Sequence, residues 1–166
     1  MAEWLRRAGH GRDAMGALVT WSVAEGRRGR RWREVVADGE AVRSSLLLEL
    51  DADGRFSHLE LSTAAGLLTL HPEADGTLHG NAVTADGIRH VAGLAWDRDR
   101  AISVRGSAIC LAAERRRDGT RARSWLMIDL DLRLETVDRV ARPTWQVVDA
   151  EGLPVLVDAE SWPLEE

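Results

Sequence analysis

Two neighbouring segments of the chain carry residue types that could bind a small molecule. One face of residues 88–96 presents Ile88, His90, Ala92, Leu94 and Trp96, and one face of residues 102–110 presents Ile102, Val104 and the small side chains of Gly106, Ala108 and Cys110. Small residues lining a curved sheet leave volume unfilled, and apolar hollows with a few polar groups bind small molecules. The predicted ligand-binding residues are Ile88, His90, Leu94, Trp96, Ile102, Val104, Arg105, Gly106 and Ala108. The alternative is that another sheet fills this space, as in any packed core.

Three of these residues have distinct chemical roles in the hypothesis. Trp96 would offer a stacking surface, and His90 would offer one hydrogen-bonding group. Arg105 lies between Ser103 and Ser107 on its predicted face, a set that could hold a carboxylate or phosphate. The alternative for Arg105 is a surface side chain that lies over its neighbours.

Signatures of catalysis are missing from the sequence. It has no Gly-x-Ser-x-Gly elbow, no phosphate-cradling glycine loop and no His-Glu-x-x-His helix. The only thiol, Cys110, lies between Ile109 and Leu111 and is expected to be a packing residue. An enzyme using the same hollow would need one acid or base, for which His90 and Asp97 are the candidates, and no cofactor.

Histidine spacing predicts one cross-strand pair. A turn centred on Asp75 would place His71 opposite His79, a geometry open to a metal ion. No third ligand is evident, so no metal site is predicted.

All 22 basic residues are arginine, and ten of them lie in two predicted turns. The first group is Arg27, Arg28, Arg30, Arg31 and Arg33; the second is Arg115, Arg116, Arg117, Arg121 and Arg123. At a common rim they would form a positive collar for an anionic head group, a membrane surface or RNA. The alternative is two solvated hairpin ends that charge protects from edge pairing.

Five Asp-Gly dipeptides separate runs rich in Val, Ile, Leu, Thr and Trp, which indicates successive hairpins. Asp-Gly is typical of type I′ turns, whose two central residues need positive φ. The strictest alternation, residues 126–135, predicts one half-buried strand. The sequence therefore predicts an all-β fold of about ten to twelve strands, a single antiparallel sheet curled into a barrel or spiral β-roll.

Composition predicts one domain over residues 1–166, with residues 1–16 weakly structured or forming an edge segment. The net charge of −5 argues against a nucleic-acid binder, and no apolar run approaches the length of a membrane span. One cysteine and an N-terminus without an apolar core favour the cytoplasm. We expect a monomer or a homodimer.

Three groups of motifs resemble the bacterial glycolipid-binding protein family. They are the leucine strand and Asp-Gly turn within 42–61, the Trp125-Leu126 and 131–135 pattern with Arg139, and residues 149–153 with a late Trp162. The resemblance implies a spiral β-roll like that of bacterial lipoprotein carriers, with a hydrophobic hollow. Residues 97–105 differ from the family pattern at the corresponding positions, and among them only Arg105 clearly matches it.

Two function hypotheses follow. The first is a protein that binds a hydrophobic or amphipathic small molecule, glycolipid-like by resemblance, inside the roll. The alternative is a cofactor-independent isomerase, hydrolase or cyclase of a hydrophobic metabolite that uses the same cavity.

Overall fold

A computed structural model describes residues 5–13, 15–114, 120, 122–137, 146–148 and 154–156. Its large sheet consists of β1 (Arg6–Arg12), β2 (Leu18–Gly26), β3 (Gly29–Asp38), β4 (Ala41–Leu50), β5 (Phe56–Thr63), β6 (Gly66–Pro72), β7 (Thr77–Thr84) and β8 (Gly87–Ala95). After it come β9 (Ala101–Val104), α1 (Ile109–Ala113), β10 (Trp125–Ile128), β11 (Leu134–Val137), β12 (Gln146–Val148) and β13 (Pro154–Leu156).

The eight strands of the large sheet follow each other in space as they do in sequence, and every neighbouring pair is antiparallel. Apolar residues at every second position meet across strands, as Leu48 does with Trp32 on one side and Leu59 on the other. These side chains are buried on one face of the sheet, which we call the inner face; we call the opposite face the outer face. The prediction of a mainly β protein with a large antiparallel sheet is confirmed.

The prediction that this sheet curls into a barrel or roll is wrong for the described residues. The sheet is open, with β1 and β8 at opposite edges, and it is not strongly curled. A second layer covers the inner face instead, because Ile102, Ile109 and Leu126 belong to the same core cluster as Trp32 and Leu48. The inner face is therefore buried without closure of the sheet on itself.

The predicted pairing of residues 88–96 with 102–110 is also wrong. Strand β8 pairs with β7, whereas β9 pairs in parallel with β10 in a three-stranded sheet of order β11-β10-β9. Parallel neighbours need a crossover of a dozen or more residues, and α1 lies in that crossover. Residues 105–111, expected to continue a strand, form a turn and the start of α1.

The alternating segment 126–135 forms two strands rather than one. Asp129 causes the break, because its Oδ1 accepts hydrogen bonds of 2.9 Å from the backbone N–H groups of Asp131 and Arg133. The chain reverses there, and β11 returns antiparallel to β10. Leu132, in the turn, is fully buried at φ 62°, the only positive φ of a non-glycine residue in the described part of the chain.

Four of the five Asp-Gly dipeptides lie at hairpin turns, as predicted, and Asp118-Gly119 lies outside the described residues. The turn type differs from the prediction, because none of those four aspartates has positive φ. In the turn that begins at Asp51, the N–H of Gly54 donates to the carbonyl of Asp51, and the N–H of Asp51 donates to the carbonyl of Arg55. The turn that begins at Glu73 has the same two hydrogen bonds, from Gly76 to Glu73 and from Glu73 to Thr77. Those contacts describe a type I turn followed by a residue with positive φ, here Gly54 and Gly76.

None of the helices in the part of the chain that the structure describes is long and apolar enough to cross a bilayer. Arg115, Arg116, Arg117 and Arg121 of the second arginine group lie outside the described residues, as do Arg139, residues 149–153 and Trp162 of the family resemblance.

Candidate functional site

The predicted ligand-binding residues fall on two sides of the large sheet. Ile88 and His90 are exposed on the outer face of β8, where His90 Nδ1 lies 2.6 Å from Asn81 Oδ1. Trp96 is buried, with its ring centroid 5.3 Å from that of Phe56. The structure therefore does not bring His90 and Trp96 into one pocket.

The remaining predicted residues belong mostly to the core. Ile102, Val104 and Ala108 are buried, Leu94 packs against the main core cluster, and Arg105 and Gly106 are exposed in the turn before α1. Asp97 is exposed, and its Oδ1 accepts a hydrogen bond from the N–H of Asp99 at 2.9 Å. A concavity beside Ile102 has a volume of about 10 Å³, room for about one water. The roles of these residues in ligand binding stay predictions, and within the described residues they do not line a common cavity.

The predicted opposition of His71 and His79 is confirmed, with ring centroids 6.4 Å apart on β6 and β7. Each imidazole already has a neighbour: His71 Nε2 lies 2.9 Å from Glu73 Oε1, and His79 Nε2 lies 2.9 Å from Thr77 Oγ1. Within the described ranges, no three His, Cys, Asp or Glu side chains are grouped to hold a metal ion.

The buried titratable groups Glu34 and Cys110 lie where β3 meets α1. Glu34 Oε2 accepts hydrogen bonds from the N–H groups of Ala108 at 2.9 Å and Ile109 at 3.2 Å. Burial raises the pKa of Glu34 to about 6, against hydrogen bonds from Ser107 and the backbone that lower it. Burial likewise raises the pKa of Cys110 to about 12, so this thiol is a poor nucleophile near neutral pH.

The geometry of the outer face brings arginines from β1 and β3 together, which the sequence alone did not show. The cross-strand register places Arg6 beside Ala24 and Arg31, and Ala8 beside Ser22 and Arg33. Neighbouring strands are about 4.8 Å apart, so β1 and β3 lie about 10 Å apart with small β2 side chains between them. The arginines of β1 and β3 thus flank the short side chains of Ala24 and Ser22 on β2 and form a channel, which we call the basic trough.

The basic trough is large enough for a small molecule. Two adjoining concavities of about 430 and 640 Å³ share Arg6, Ala24 and Arg31 in their walls. The larger one extends to Arg27 and Arg28, which form the turn between β2 and β3. Both concavities are open along the sheet surface, so a ligand bound in them would keep part of its own surface in water.

Ion pairs neutralise only part of the positive charge in the basic trough. Arg31 Nε lies 2.6 Å from Glu49 Oε1, and Arg30 Nη2 lies 3.0 Å from Glu25 Oε2. The structure shows no ion pair within its described residues for Arg6, Arg27, Arg28 and Arg33. The trough is thus a concentrated positive region on a chain whose net charge is −5, and such a region attracts anions.

An apolar surface adjoins the basic trough at Arg33. Arg33 also borders a concavity of about 190 Å³ that is lined by Val35, Leu47 and Leu67 on β3, β4 and β6 and by the polar residues Ser45, Glu60 and Ser62 between them. We call Val35, Leu47 and Leu67 the apolar strip. Val35 and Leu67 are 37% and 41% exposed, which leaves them available for contact.

Comparison with known protein families, with curated proteins and with solved structures finds no match to this chain. The resemblance to the glycolipid-binding family therefore stays a prediction from sequence motifs.

The sequence alone shows the arginines of residues 27–33 as a dense group that could attract an anionic partner. Arg6 was missed because residues 1–16 gave little periodic signal. The alternation within β1, which places Arg6, Ala8 and His10 on one face, is the signal that could have placed it.

Proposed function

We propose that this protein binds an anionic amphiphile on the outer face of its large sheet. The anionic group occupies the basic trough, and the apolar part of the ligand lies along the apolar strip. This keeps the amphipathic small molecule that the sequence predicts and moves its site from the interior to the outer face.

The observation that carries the proposal is the position of Arg33, which borders both the basic trough and the apolar strip. A ligand whose charged end contacts Arg33 can continue onto Leu47, the cross-strand neighbour of Arg33, and from there reaches Leu67 past Glu60 and Ser62 of β5. Guanidinium groups bind phosphate and carboxylate through paired N–H donors, which makes either group a suitable head.

Removal of trough arginines tests the head-group site. In titrations with decyl phosphate, we expect Arg6→Gln and Arg33→Gln each to weaken binding about tenfold, because a hydrogen bond to a charged group contributes roughly 1.5 kcal/mol or more. Arg98→Gln, an exposed arginine in the turn between β8 and β9, is the matched control and should bind like the wild type. Equal affinities for all four proteins would refute the head-group site.

Chain length tests the apolar strip. Between hexyl and decyl phosphate we expect affinity to rise about twofold per methylene, since a half-buried CH₂ contributes about 0.4 kcal/mol, half the value for full burial. Leu67→Ser should flatten this dependence and leave the affinity for inorganic pyrophosphate unchanged. Tighter binding of a short single-stranded oligonucleotide than of decyl phosphate would contradict the proposal and favour a nucleic-acid ligand.

A further inference from the structure

We propose that the head group bound in the basic trough consists of two linked phosphates, so that the ligand is the diphosphate of an apolar alcohol. This inference rests on the proposed function, because it names the chemical class of the head group at the same site. The first phosphate, which bears the apolar chain, contacts Arg33, and the terminal phosphate contacts Arg27 and Arg28.

The positive charge around the basic trough exceeds what one phosphate can neutralise. Among the described residues that line its two concavities, seven are arginines and two are glutamates, which leaves a formal excess of five positive charges. One phosphate monoester carries about 1.5 to 2 negative charges near neutral pH. A single phosphate therefore leaves more than half of the excess unmatched, and a second phosphate reduces it.

The two concavities divide the arginines into two groups with a shared middle. Arg33 lines the smaller concavity alone, Arg27 and Arg28 line the larger one alone, and Arg6 and Arg31 line both. A guanidinium has five N–H donors in a fixed fork, so one side chain can donate to two neighbouring phosphates. Two phosphates joined by one oxygen suit this arrangement better than two separate ions, because both contact the same pair of arginines.

The order of residues along β3 decides which phosphate bears the apolar chain. Val35, Arg33 and Arg31 follow one another on the outer face, with about 7 Å between successive members. Beyond Arg31 lies the turn formed by Arg27 and Arg28, which leads into β3. A chain that leaves Arg33 over the apolar strip therefore points away from the turn, and the terminal phosphate points toward it.

The turn carries two arginines whose charge is not neutralised by any described carboxylate. Arg27 and Arg28 are exposed, and no ion pair within the described residues involves either of them. The neighbouring Arg31, by contrast, lies against Glu49. A terminal phosphate has three oxygens that accept hydrogen bonds, and guanidinium groups donate to such oxygens in pairs. The turn therefore offers free donors at the place assigned to the terminal phosphate.

Titrations with decyl phosphate and decyl diphosphate, below the concentration at which either forms micelles, test the second phosphate. We expect the wild type to bind decyl diphosphate at least fivefold more tightly, since hydrogen bonds between charged groups commonly contribute that factor or more. Arg27→Gln/Arg28→Gln should lose this preference and bind decyl phosphate like the wild type. Arg98→Gln/Arg133→Gln removes the same charge from exposed positions outside both concavities and should keep the preference.

The outcomes separate this inference from the proposed function. A wild-type preference below fivefold, or an Arg27→Gln/Arg28→Gln variant that keeps the preference, overturns the inference. Decyl phosphate binding that still weakens in Arg33→Gln would then leave the proposed function standing. If neither ligand binds, the proposed function and the inference both fail.

Inorganic phosphate and pyrophosphate repeat the comparison without an alkyl chain, so the result does not depend on the apolar strip. Pyrophosphate should bind the wild type at least fivefold more tightly than phosphate, and Arg27→Gln/Arg28→Gln should abolish the difference. Equal affinities of the wild type for the two anions would overturn the inference even if the alkyl ligands bind.

Discussion

Replacing Leu132 by alanine is expected to lower the free energy of unfolding by about 2–5 kcal/mol, the range for large-to-small changes at buried sites. Leu132 is fully buried in the core that joins the second layer to the large sheet. Its φ of 62° also places a side chain where glycine is normally found, at a cost of about 1 kcal/mol. Glycine at this position loses the same packing as alanine but relieves that backbone cost. We therefore expect Leu132→Gly to be at least as stable as Leu132→Ala.

Leu126 provides the matched control, because it is equally buried and lies in β10 without positive φ. There glycine should be less stable than alanine by about 0.5–1 kcal/mol, the ordinary cost of glycine in a strand. Urea denaturation of the four variants gives both differences. If glycine is worse than alanine by the same amount at the two positions, the strain assigned to Leu132 does not exist.

Glu34 should make the protein more stable as the pH falls from 7.5 to 4.5, compared with a Glu34→Gln variant. The pKa of Glu34 is raised from 4.5 to about 6 in the folded protein because the carboxylate is buried. The folded state therefore takes up the proton at a higher pH than the unfolded state, and stability is gained as pH falls through 6 toward 4.5. At about 1.4 kcal/mol for each pH unit, the gain relative to the glutamine variant is about 2 kcal/mol.

The measurement is the difference in the free energy of unfolding between the wild type and Glu34→Gln at pH 7.5 and at pH 4.5. Glutamine keeps an oxygen that can accept hydrogen bonds from Ala108 and Ile109, so the variant should still hold α1 against the sheet. Glu135→Gln, which removes an exposed carboxylate on β11, serves as the control. If the free energy of unfolding of the wild type relative to Glu34→Gln is the same at both pH values, or is lower at pH 4.5 than at pH 7.5, the pKa of Glu34 is not raised.

Local patterns in the sequence determined the large sheet. Alternation placed Leu46, Leu48 and Leu50 on one face of a strand, and Asp-Gly dipeptides marked where strands reverse. The spacing around Asp75 was enough to pair His71 with His79, because a short hairpin leaves little freedom of register. These features depend on residues close together in the chain, and such residues constrain each other whatever the rest of the fold does.

The second layer was decided by tertiary structure. Strict alternation over residues 126–135 suits one long strand, yet the Asp129 turn folds both halves into the second layer, and burial of Leu132 against the large sheet outweighs its unfavourable φ. The parallel pairing of β9 with β10 depends on a crossover through α1, which has no long periodic signal of its own. The inner face of the large sheet could be buried either by closing the sheet into a barrel or by covering it with a second layer. Both arrangements bury the same leucines, so the alternation in the sequence does not distinguish them.

The basic trough combines both kinds of information. Arginine-dense residues 27–33 are visible in the sequence, and so is the turn at Arg27-Arg28. The distance from Arg6 to Arg31 across Ala24 is set by the register of three strands, which becomes defined only when hairpins align and their inner faces pack. Residue types were thus available from the chain, whereas the trough itself exists because packing on the inner face fixes which side chains stand together on the outer face.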